Sequence, residues 1–117
     1  MGQSTDAILA YGINLDEEGS DPWEICESLQ YDRYADAEAA KKELGIDLIQ
    51  HCSNGCPMYI IGVEHLRAWR GEPKEVDPAG LLLDEKATRA KIQAYCERFG
   101  LPFSDDACKW YLASNWG

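Results

Sequence analysis

The densest group of reactive side chains is His51-Cys52-Ser53-Asn54-Gly55-Cys56. A thiolate that attacks phosphate needs an anion-binding cation in the same loop. Six residues beyond Cys52 the chain carries Met58, so that cation is missing. A zinc centre would draw on His51, Cys52 and Cys56, with His65 or Cys108 as a remote ligand. Against it, the spacing lacks a CxxC knuckle, and adjacent strand residues such as His51 and Cys52 point to opposite faces. No Gly-rich phosphate loop, nucleophile elbow or HExxH motif is present. Adjacent acids occur at Glu17-Glu18, Asp84-Glu85 and Asp105-Asp106, where carboxylates ordinarily meet solvent or a helix dipole. The expectation is a protein that is not an enzyme, with no catalytic residues, no metal and no cofactor. The alternative is a small thiol- or metal-dependent enzyme centred on Cys52, Cys56 and His51; an oligomerising structural protein is a third reading.

Charge offers the better clue. Twenty-one acidic and 11 basic side chains leave a formal net charge of −10. Residues 1–32 contain eight acids and no Lys or Arg, whereas residues 33–70 are balanced and residues 71–117 carry a net −2. Asp16, Glu17 and Glu18 fall in an expected loop, and Glu24 and Glu27 are three apart on one helix face. Solubility alone can account for such a face. The sharper expectation is a docking surface for a protein partner with a basic surface, made by Asp16, Glu17, Glu18, Asp21, Glu24 and Glu27. Direct nucleic-acid binding is disfavoured, because phosphate neutralisation needs an excess of Lys and Arg.

The 117 residues, 45% of them hydrophobic, suit one domain over 1–117. No apolar run reaches the roughly 20 residues that cross a bilayer, so no membrane association is expected. The segment MGQSTDAILAYG has no basic flank ahead of an apolar core, and a secretory signal is not expected. Five cysteines, an odd number without such a signal, point to reduced thiols in a cytoplasm. Cys26 and Cys96 fall at apolar positions of expected helices, where a thiol behaves as a small hydrophobe.

These side chains need elements to hold them. Ala7–Leu15 reads as a strand buried on both faces, with Gly12 marking a bulge or a close neighbour. Asp21-Pro22-Trp23-Glu24 reads as a helix start capped by Asp21, with Ile25 and Leu29 facing inward. A second helix runs from Arg33 to Leu44, aligning Tyr34, Ala37, Lys41 and Leu44, and stops at Gly45. Two β-rich runs, IDLIQHCS and CPMYIIGV, flank Asn54-Gly55, a type I′ hairpin signal. That hairpin pairs Cys52 with Pro57, His51 with Met58 and Ile49 with Ile60. A short strand from Glu64, a turn over Arg70–Pro73 and a surface loop follow. Asp84 caps a helix through Phe99 that buries Thr88, Ile92, Tyr95, Cys96 and Phe99. A last strand places Cys108, Trp110, Leu112 and Trp116 on one side. The four Trp and six Tyr are expected mainly as core. Trp69 with Arg67 and Arg70, or Trp116 with Tyr111, would resemble interface anchors if exposed. The fold class is α+β, a small antiparallel sheet of about four strands with helices packed on one face.

Several segments go together in order: AILAYGINL, Asp21-Pro22-Trp23, Arg70-Gly71-Glu72-Pro73, and the ending Trp110-Tyr111-Leu112-Ala113-Ser114-Asn115-Trp116-Gly117. In these the chain resembles small bacteriophage and prophage-encoded proteins of unknown function. The resemblance carries no active-site residues across. It implies an accessory viral protein working in a bacterial host cytoplasm, a class that includes acidic inhibitors of host defence and nucleic-acid-handling enzymes.

Overall fold

Two glycines face each other across the central strand pair of the computed structural model, which describes residues 5–15, 17, 19–52, 58–69, 71–76 and 84–116. Strand β1 (Thr5–Leu15) pairs antiparallel with β3 (Met58–Trp69), and Gly12 meets Gly62. A Cβ on Gly12 would lie 2.1 Å from the Ile61 carbonyl oxygen, and one on Gly62 only 1.9 Å from that of Tyr11. The expected close neighbour of Gly12 is therefore this backbone. The ladder's irregularity lies elsewhere, between Leu9 and Ala10, where His65 is the extra residue on β3.

Strands β2 (Asp47–Cys52) and β4 (Lys109–Trp116) complete an antiparallel sheet in the order β4-β1-β3-β2. The outer strands then meet through a parallel bridge between Cys52 and Trp116, which closes the sheet into a small barrel. The fold class is α+β as expected, and closure is what the sequence did not announce. In the hairpin, Ile49 pairs with Ile60 as expected. The register then slips at His51, so that Cys52 pairs with Met58 rather than Pro57 and His51, expected opposite Met58, is the extra residue on β2. The Asn54-Gly55 turn lies outside the described residues. Strand β3 does not break at Val63 but runs unbroken to Trp69. It ends in a turn where the Glu72 amide donates to the Trp69 carbonyl at 2.9 Å, with Gly71 at φ +76°.

Helices α1 (Asp21–Gln30), α2 (Tyr34–Leu44) and α3 (Glu85–Phe99) cover one face of the sheet. Their Trp23, Cys26, Leu29, Ala40, Ile92 and Tyr95 pack with Tyr11, Ile13, Tyr59 and Ile61 of the strands. The cap of α1 is Ser20, one residue earlier than expected: its hydroxyl accepts from the Trp23 amide, and Asp21 becomes the first helical residue. In α2 the buried side is Ala37, Ala40 and Leu44, while Tyr34 and Lys41 are exposed. Lys41 there pairs with Asp47 at 3.3 Å. Helix α3 is capped by Asp84 and buries the five residues expected of it.

Among the described residues, no helix covers the other face. Ile8, Ala10, Ile49 and Ile60 are buried there with Tyr111 and Ala113 against them, because the sheet has curled around its own interior. Strand β4 accordingly serves both faces: Trp110 packs toward the helices and Tyr111 and Ala113 inward, leaving Leu112 exposed rather than aligned with a buried row. Gly12→Ala or Gly62→Ala is expected to force these strands apart. Each should destabilise the fold by about 3 kcal/mol, lowering the melting temperature by roughly 10 °C. An unchanged urea midpoint in either variant would refute the close approach.

Candidate functional site

The candidate acidic surface is built on α1. With 3.6 residues per turn, Asp21, Glu24, Glu27, Ser28 and Tyr31 fall on one arc, opposite buried Cys26 and Leu29. Near the helix end, Glu24, Glu27, Ser28, Tyr31 and Asp32 line a cleft of about 400 Å³. Arg33, the first cation after these acids, is held by Asp36 at 3.0 Å and lies over the Phe99 ring, with its guanidinium carbon 5.4 Å from the centroid. Tyr59 is buried behind this cleft. Burial, then Tyr31 and Glu27, push its phenol up to about 12.

The two ends of α1 differ electrostatically. Asp21 and Glu24 lie in the first turn, where the macrodipole welcomes carboxylates. Glu27 and Asp32 lie at the opposite end, where it favours cations, and no basic residue occupies the last turn. The structure thus brings Glu24 and Glu27 together and adds Asp32, which the sequence reading left out because the end of α1 at Gln30 was not placed. Asp21 shares the arc one turn back. Glu17 is exposed near the N-terminus of α1, where its carbonyl accepts from the Ser20 amide, and it stands apart from the cleft. Asp16 and Glu18 lie outside the described residues.

His51 Nε2 is hydrogen-bonded to Asn14 Oδ1 at 3.1 Å, at the mouth of the barrel interior. Cys52 ends β2, and Cys56 lies outside the described residues. His65 rests edge-on against Trp110, ring centroids 5.7 Å apart. Among the described residues, no three His, Cys, Asp or Glu side chains group to hold a metal ion. Cys26, Cys96 and Cys108 are buried free thiols. Burial, then Cys96, pushes Cys26 up to about 12; burial, then Cys108, pushes Cys96 up to about 11. Such thiols are poor nucleophiles, since the thiolate is the reactive form.

A second charged group lies at the other end of β1. Arg67 Nη1 donates to Asp6 Oδ2 at 2.7 Å, while its Nε and Nη2 donate to Glu64 Oε1 at 3.1 and 2.5 Å. Trp69 beside it is half-exposed and carries the Arg67 guanidinium at 5.6 Å from its ring centroid. In comparisons with protein-family models, curated proteins and solved structures, nothing matches the chain. Nor is any helix among the described residues long and apolar enough to cross a membrane.

The thiols give a pH dependence of defined sign. Well below the ordinary thiol value of 9.0, Cys26 and Cys96 are protonated in folded and unfolded chains alike. Above it the unfolded chain releases protons that the folded chain retains, so stability falls as pH rises. Tyr59 and Tyr95, both raised by burial from 10.0, extend the fall to higher pH. Urea midpoints should drop between about pH 8 and about pH 10, and Cys26→Ala should flatten the drop. Thiol reagents should label Cys26 and Cys96 only on unfolding, and rapid native-state labelling would contradict their burial.

Proposed function

We propose that this chain is a non-enzymatic binding protein that engages the basic surface of a protein partner through the outer face of α1. The observation that carries this reading is the placement of Glu27 and Asp32 at the negative end of the helix. Carboxylates there raise the local negative potential and slightly oppose the helix, and solubility does not require that position. A cationic partner surface relieves the strain, because Lys or Arg seated there meets three carboxylates and the helix terminus together. Tyr31, 60% exposed in the lining of the cleft, adds the aromatic contact area common at interface anchors. Electrostatic complementarity of this kind speeds encounter and selects partners.

The resemblance of the chain's segments to bacteriophage and prophage proteins supports an accessory viral role in a bacterial host cytoplasm. A basic groove that otherwise grips phosphates, in a host defence or nucleic-acid-handling enzyme, is the partner chemistry that fits an acidic face.

Capture from bacterial lysate at low salt, followed by affinity measurement on the purified partner, tests the reading. The affinity should fall steeply as salt is raised, because exposed charges are screened. Glu24→Lys, Glu27→Lys and Asp32→Lys combined should weaken binding at least tenfold while leaving thermal stability within a few degrees. Unchanged affinity in that triple variant sinks the proposal.

A further inference from the structure

All four strands send side chains into the concave side of the sheet, and they leave a pocket at its mouth. Asn14 pairs with Ile60 and Ile60 with Ile49, so these three share one row across β1, β3 and β2. Tyr111 and Ala113 of β4 lie opposite Ala10 and Ile8 and face the same interior. Where these side chains converge, a pocket of about 350 Å³ is lined by Asn14, His51, Met58, Ile60, Tyr111 and Ala113. Ile60 is 1% exposed and belongs to the buried cluster with Ile8, Ala10 and Ile49. The other five lining residues are half-buried, so the pocket is open to solvent above an apolar floor.

The segments that build this pocket carry no charge. Residues 7–15, 48–63 and 110–117 contain no Asp, Glu, Lys or Arg, in a chain of which 27% is charged. An ion entering the pocket would give up hydration with no opposite charge in those segments to meet it. The lining favours flat, polarisable groups instead. Tyr111 and His51 contribute rings, and Met58 a thioether of the kind that packs well against aromatic edges. One polar feature interrupts the apolar wall, the His51–Asn14 hydrogen bond at 3.1 Å. A concave, mainly apolar surface with a few polar groups at a barrel mouth is the usual form of a small-molecule site.

We propose that this pocket binds a small, uncharged aromatic molecule of one or two fused rings with a polar edge. The rings lie over Ile60 between Tyr111 and Met58, and the polar edge faces the His51–Asn14 pair. The volume sits near the lower end of the roughly 300–1,000 Å³ typical of ligand pockets, which sets the ligand's size. The pocket shares no lining residue with the acidic cleft of α1, and the two proposals stand or fall separately.

The test is an NMR titration of the methyl-labelled full chain at pH 7.5 and constant ionic strength. The probes are quinoline (flat and neutral), N-methylquinolinium (flat and cationic) and 2-decalone (neutral, bicyclic and saturated). Saturable shifts of the Met58, Ile60 and Ala113 methyls are expected with quinoline, and affinity at least fivefold weaker with the other two. Tyr111→Leu should weaken quinoline binding at least fivefold, whereas Tyr111→Phe, which keeps the ring, should hold it within twofold. If Tyr111→Leu loses its dispersed spectrum, Asn14→Ala and the comparison of probes still decide. Asn14→Ala should weaken quinoline at least threefold, and Glu24→Lys with Glu27→Lys should leave it unchanged. The proposal is overturned if quinoline gives no saturable shift, or if N-methylquinolinium or 2-decalone binds as well. It is equally overturned if the same methyls shift on dilution of the protein alone while its mass falls by half, since a second copy then fills the pocket.

Discussion

The architecture hangs on the contact between the backbones of β1 and β3 at Gly12 and Gly62. Neither position has room for even one side-chain carbon, because the opposing carbonyl oxygens stand about 2 Å from where a Cβ would go. Closeness there lets the central pair coil tightly. Coiling brings β2 and β4, the two outer strands, together at Cys52 and Trp116. That meeting encloses Ile8, Ile49 and Ile60, which an open sheet would leave bare on the side away from the helices. Small neighbours complete the fit, since Ala10 and Ala113 point into the same interior. Two cores therefore share one sheet: helices cover the first, and the sheet itself covers the second.

Charge is distributed to match. The acids of α1 stand outward on a helix whose other side is anchored by Trp23, Cys26 and Leu29, so the surface is rigidly backed. The helical layer is tied at its rim by Arg98 with Glu43 at 2.6 Å and by Trp110 with Glu85 at 3.4 Å. These exposed pairs contribute little to stability individually. Asp6 is a different matter: its carboxylate is enclosed, and removing Arg67 would strand a buried charge.

Much of the framework was legible in the residues because it follows local rules. Asp84 before an apolar stripe and Gly100 after it mark α3 at both ends, and its five buried residues follow from the 3.6 period. The alternation in β2 set Ile49 opposite Ile60. Non-local geometry was not legible. Nothing in the neighbourhood of His51 or His65 reports that each is the extra residue of a bulge, since a bulge depends on the partner strand. Ser20 displaced Asp21 as the cap because both types cap well, and neighbouring packing decides between them. Glu27 was legible as part of an acidic face, yet its position at the unfavourable end of the dipole required the helix boundary. The Asp6–Arg67 pair joins residues 61 positions apart, and an isolated Asp ahead of an apolar strand gives no sign of it.

The pairing of β1 with β4 also governs the order of events during synthesis. Thr5 lies opposite Trp116 and Gly12 opposite Lys109, so β1 receives its outer neighbour only after the other described strands and helices have been made. The β2–β3 hairpin and all three helices can form beforehand from nearby residues. Until β4 arrives, an apolar strand edge stands open and the barrel interior is incomplete. A nascent chain in that state depends on remaining isolated from others like it, and completion of the sheet is a single late, long-range event.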